Sequence, residues 1–162
     1  MTDITVDLVD EVWHELVTGA PAEVNGRLDE FRRAQPVLAG YVRAVEEGVF
    51  VGDERGQLTL FALWAYEVCR RAGRARGEIG EDIIESMLVE NERLLTAVES
   101  APASDVMSTA TTWTSSYPHL SLLGAILNQA MQGEMENPRR VDDFLGLLTL
   151  HAKTMVDCLA LA

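Results

Sequence analysis

FRRAQPVLAGYVRAVEEG, residues 31–48, carries the apolar spacing of an amphipathic helix on both sides of a proline. Proline has no amide hydrogen and its ring clashes with the carbonyl of the preceding turn. It therefore breaks a helix interior but suits the first turn, where amide hydrogens are unpaired anyway. Pro36 accordingly predicts a boundary between one helix over about 22–34 and another over about 36–47, the second stopped by Gly48. WTSSYPHLSLLGAILNQAMQG, residues 113–133, repeats the pattern, with Pro118 dividing about 103–116 from about 118–132 and Gly133 as the stop.

A shift of 82 positions places Val24 on Val106, Leu28 on Ala110, Phe31 on Trp113, Pro36 on Pro118 and Leu38 on Leu120. Each half then continues into a strongly apolar helix with one cysteine, about 57–72 and about 139–161. The sequence thus predicts a single all-α domain over 1–162 built from two similar three-helix units, 22–77 and 103–162. An N-terminal helix at about 3–17 and a linking middle helix over 79–99 complete it. VFVGDERGQLTLF also has the alternation and turn glycines of a hairpin, but LFALWAYEVC continues too long for a strand.

With 162 residues, 48% of them hydrophobic, the chain can bury a core without metals or disulfides. Cys69 and Cys158 lie among apolar residues at helical spacing and read as buried thiols of a reducing, cytoplasmic setting. No segment has the apolar length of a membrane span, and the early acids are unlike a secretory leader. The net charge of −13 is uneven: residues 1–21 carry −5, 22–77 carry +1, 78–105 carry −7 and 106–162 carry −2. Such a field repels polyanions, so a nucleic-acid partner is not expected. Lys153 is the single lysine.

Glu11-Val12-Trp13-His14 has the E-x-x-H spacing with which ferritin-like di-iron proteins set a carboxylate and an imidazole on one helix face, and resembles them over these four residues. Those proteins aim the ligands into the bundle and need a second such motif. Here Leu8, Val9, Val12, Trp13, Leu16 and Val17 form the apolar stripe, Glu11 and His14 fall opposite, and neither His119 nor His151 follows an acid at that spacing. The middle helix, EIGEDIIESMLVENERLLTAVE, resembles in acid density the magnesium-binding helices of MazG-like all-α nucleotide pyrophosphohydrolases, without their E-E-x-x-E and E-x-x-D arrangement. Glu78, Glu81, Glu85, Glu92 and Glu99 lie opposite Ile83, Ile84, Met87, Leu88, Leu94, Leu95 and Val98, facing water. A hard-cation site needs carboxylates that converge.

Asn91 sits inside that stripe. It predicts either an intrachain partner for a buried amide or a self-pairing amide that sets the register of two subunits. Arg70, Arg71, Arg74 and Arg76 crowd a helix C-terminus, where they complement its dipole, pair with acids such as Glu67, or capture an anion. His151, Met155 and Cys158 at helical spacing are a minimal soft-metal set, or a boundary histidine beside a buried thiol. In TATTWTSS, Thr109, Thr111, Thr112, Thr114 and Ser115 stand where the first unit has Arg27, Asp29, Glu30, Arg32 and Arg33, a hydroxyl face in place of a charged one. Poor helix formers kept on one face predict that this face lies against the domain, against a second copy or another protein, or on a polar small-molecule pocket.

The sequence therefore points to a non-enzymatic cytoplasmic helical protein acting through contact with another protein or itself, in regulation or assembly, with Asn91, Thr109, Thr112 and Ser116 as interface residues. It implies no catalytic residues, cofactor or metal and names no small-molecule ligand. The alternative is a magnesium or di-metal all-α enzyme, such as a nucleotide pyrophosphohydrolase-like hydrolase, using acids of 78–92.

Overall fold

The computed structural model describes residues 3–50, 56–102, 104–105, 112, 114–135 and 141–162, and it is all-α. Its helices are α1 (Val6–Thr18), α2 (Pro21–Ala34), α3 (Pro36–Val49), α4 (Gln57–Arg71), α5 (Glu81–Glu99), α6 (Leu120–Met135) and α7 (Val141–Leu161). Among the described residues of 103–116, positions 112 and 114–116 are helical. The hairpin alternative at 51–55, Thr109, and most of the proposed counterpart of α2 lie outside the described residues. Among the described residues, no helix is long and apolar enough to cross a membrane.

Pro21 and Pro36 each open a helix, as a residue without an amide hydrogen should. Pro118 does not. It sits in a turn two residues before α6, where the His119 carbonyl accepts the first bond from the Leu123 amide. Gly48 and Gly133 also fail to stop their helices, which continue to Val49 and Met135. Gly19 caps the end of α1, and Gly73, in the left-handed region at φ 79°, ends α4. The Gly73 amide donates to Arg70 O at 3.0 Å and that of Arg74 to Cys69 O at 2.8 Å, the paired bonds of a Schellman cap on α4.

Gln35, between α2 and α3, shows what the first proline break accomplishes. Its amide Nε2 donates to the Gly77 carbonyl at 2.8 Å and its Oε1 accepts from the Ile79 amide at 2.9 Å. A fully buried side chain thus satisfies the backbone of the α4–α5 connection as a neighbouring strand would. Glu46 of α3 does the same for the start of α4, accepting from the Gly56 and Thr59 amides and the Thr59 hydroxyl. Long-range side chains replace the local N-cap that Gly56 cannot supply.

Helices α4 and α7 pack on each other at the centre, with α1, α2 and α3 gathered on α4 and with α5 and α6 on α7. From Phe61 to Cys69 every residue of α4 is buried, and from Leu148 to Leu159 only Thr149 and Asp157 of α7 are not. On α1, Val9, Val12 and Leu16 enter the core, and the Val9 carbonyl accepts the indole N–H of Trp64 at 2.9 Å. Val17, expected in the same stripe, is 52% exposed. A helix sheathed on all sides must bury its polar residues too, and in α7 these are His151, Lys153 and Thr154.

Candidate functional site

The metal-binding alternatives depend on convergence. Glu11 and His14 are exposed on α1, and Glu78, Glu81, Glu85, Glu92 and Glu99 are exposed along or just before α5. Among the described residues no three His, Cys, Asp or Glu side chains gather where they could hold a metal ion. His151 instead meets Tyr41 of α3, with 2.6 Å between Nδ1 and the phenol oxygen. Burial lowers the His151 pKa and raises that of Tyr41. Burial first, then the Asp157 charge, pushes the Cys158 thiol up to about 12, and burial does the same for Cys69. Neutral thiols are poor nucleophiles and poor metal ligands.

Two of the four arginines at the α4 terminus, Arg70 and Arg71, are committed to acids of the chain. Arg71 forks onto both oxygens of Glu15 and reaches Glu11 at 3.4 Å, while Arg70 pairs with Glu67 at 2.8 Å. Arg27 of α2 binds Glu15 and Glu23, each at 3.0 Å. Hydrogen bonds from Arg71 and then Arg27 hold the Glu15 carboxyl at about 2, against an ordinary 4.5. This rim network ties α1, α2 and α4 together. Arg76 is exposed, and Arg74 is half-buried with its Nε enclosed and lacking a hydrogen-bond partner among the described residues.

A second polar network lies inside the α5–α7 contact. Asn91, 3% exposed, points its amide at α7: Oδ1 accepts from Lys153 Nζ at 2.6 Å, and Nδ2 donates to Thr154 Oγ1 and Asp157 Oδ2, both at 3.1 Å. Lys153 also pairs with Asp157 Oδ2 at 2.6 Å, one helical turn away. Tyr117, ahead of α6, donates its hydroxyl to Asp157 Oδ1 at 2.7 Å, and its ring lies 4.8 Å from the lysine nitrogen. Burial is the first cause and Asp157 the second in raising the Tyr117 pKa, so the phenol stays protonated and donates. The two charges are thus paired and supplied with further hydrogen bonds, the condition for holding ions away from water.

Beside this network the helices part into a cavity of about 170 Å³. It is lined by Leu94, Leu95 and Val98 of α5 and Leu150 of α7, together with Asn91, Thr114, Thr149 and Lys153, and its exposed lining is largely apolar. Asp157 does not line it.

Of the residues expected at an interface, Asn91 is buried with partners on α7, and Thr112 and Ser116 are exposed. Thr114, half-buried, is the described member of the hydroxyl face that reaches the cavity. Sequence reasoning missed Lys153, Asp157 and Tyr117. The available sign was the chain's single lysine within a predominantly apolar helix, where a central position encloses it. Compared with known protein families, curated proteins and solved structures, the chain matches none.

Proposed function

We propose that the protein is a non-enzymatic helical binding module whose point of contact is the α5–α7 cleft, which takes up a small apolar group. The observation that carries this reading is the cavity of about 170 Å³ walled by Leu94, Leu95, Val98 and Leu150. An apolar cavity of about 150 Å³ admits a benzene ring, and an apolar concavity with a few polar groups at one end is the common form of a ligand site. The competing reading, a metal-dependent hydrolase working through the acids of α5, needs carboxylates from several helices around one cation. The described acids of α5 instead face outward.

A second reading keeps the same cleft but fills it with the side chain of a protein partner or of another copy of the chain. Leu147 favours it: it is an apolar side chain 40% exposed on α7, three residues before Leu150 of the cleft.

Thermal unfolding with benzene as the probe tests the cleft. A compound that binds only the folded state raises the melting temperature. The wild type should show a saturable rise, and Leu95→Trp, which fills the cavity, should abolish it. Calorimetric titration with magnesium and nucleoside triphosphates addresses the competing class. Absence of a benzene effect in the wild type, or stoichiometric uptake of magnesium and nucleotide, contradicts the proposal.

A further inference from the structure

We propose that the Arg74 guanidinium, in the connection between α4 and α5, is a second binding site, which holds one small oxyanion of the phosphate or carboxylate type. The site is independent of the α5–α7 cleft, whose lining does not include Arg74. Three described arginines are half-buried: Arg27, Arg71 and Arg74. Arg27 and Arg71 both pair with Glu15. Arg74 has no ion pair, and its guanidinium makes no hydrogen bond among the described residues. Of its three nitrogens only Nε is enclosed, which leaves the two terminal nitrogens, also unbonded, open to solvent. Withdrawing a polar group from water without a partner is costly, and ion-binding sites are one place where such groups are kept.

The backbone holds Arg74 in a fixed place. Ala75, at φ 53°, is the one non-glycine in the left-handed region among the described residues. An alanine stays there only where its surroundings over-determine it, and such positions gather at ligand-binding sites. Here the Arg74 amide donates to Cys69 O at 2.8 Å, and the Arg76 and Gly77 amides donate to Ala162 O, just past α7, at 3.1 and 3.2 Å. Gln35 holds the Gly77 carbonyl from the α2–α3 junction. Capping does not need the guanidinium, because the Gly73 and Arg74 amides already serve the last carbonyls of α4. A planar arginine fork matches two oxygens of one phosphate or carboxylate. Exposed Arg76 adds positive charge two residues on. Half-buried His119 is near enough for the Arg74 charge to be the second cause, after burial, of its lowered pKa. Asp157, which also acts on His119, is already bonded by Lys153, Asn91 and Tyr117.

Side-chain NMR of the full chain, labelled with ¹⁵N arginine and histidine, reads the site directly. Inorganic phosphate, acetate or chloride is added at pH 7 and constant ionic strength. Phosphate should shift the Arg74 Nε–H and the His119 ring resonances saturably and leave His14 and His151 in place, while chloride should have no saturable effect. A saturable acetate response at the same two residues assigns the fork to carboxylates as well, and its absence narrows the occupant to a phosphoryl group. Arg74→Met should weaken phosphate binding by about tenfold or more. Arg74→Lys keeps the charge without the fork and should weaken it less, and Arg76→Met should leave it unchanged. No saturable shift with either oxyanion in the wild type, equal saturation by chloride, or full affinity in Arg74→Met would each overturn the proposal, whatever benzene does at the cleft.

Discussion

The chain carries two charged networks of similar composition in opposite surroundings. On the rim, Glu15, Arg27 and Arg71 join α1, α2 and α4 with side chains between about a quarter and a third exposed. Inside, Lys153 and Asp157 sit at 10% and 13% exposure and bind Asn91 across the α5–α7 contact and Tyr117 ahead of α6. Water can replace any partner lost from the rim, whereas it reaches the inner network poorly. The same chemistry therefore fastens helices loosely in one place and fixes a unique arrangement in the other. Asn91 and Lys153 of the inner network line the cavity of about 170 Å³, and none of Glu15, Arg27 and Arg71 does.

Removing one charge from each network is the strongest way to break this comparison. Asp157→Leu leaves the Lys153 ammonium enclosed without its counter-ion and should lower the unfolding free energy by about 3–5 kcal/mol, measured by urea denaturation. Adding Lys153→Met should recover most of that loss. A single variant that costs no more than a rim substitution would show that the inner pair is hydrated. Next in size is Asn91→Leu. It deprives Lys153 and Thr154 of a buried partner and should cost about 1–3 kcal/mol, with the sedimentation mass unchanged. A change of mass would move Asn91 to a contact between copies.

The rim gives the smallest effect and a distinctive pH dependence. Its carboxyl at Glu15 is held at about 2 in the folded chain, against an ordinary 4.5. A group whose pKa is lower folded than unfolded stabilises the fold above the unfolded value and loses that contribution as pH falls through the folded one. Glu15→Gln should therefore cost less than about 1 kcal/mol at neutral pH, as expected for a partly exposed pair, and the cost should vanish between pH 4.5 and about 2. An equal cost at acid and neutral pH would assign the effect to packing.

The architecture was legible where physics acts locally. Pro21 and Pro36 set helix starts because the missing amide hydrogen matters at one position only, and the apolar runs of α4 and α7 marked central helices. Asn91 stood out because α5 has one narrow apolar stripe against which an amide is visible. Lys153 and Asp157 did not. Four residues apart, they read like an ordinary exposed helix pair, and only the packing of α4, α5 and α6 around α7 encloses them. Gln35 and Glu46 were hidden for a related reason: Gln35 serves backbone groups 42 and 44 residues away, and Glu46 serves groups 10 and 13 away, distances no periodicity reports. The turn start of α6 shows the limit of the proline rule, since a proline can precede a helix by a turn as well as begin it.

Methyl-resolved NMR of the full chain during titration with benzene addresses the binding cleft most directly. Saturable shifts confined to the methyl groups of Leu94, Leu95, Val98 and Leu150 are the predicted result. Shifts that do not saturate, or that centre on the α1–α4 rim, would contradict it.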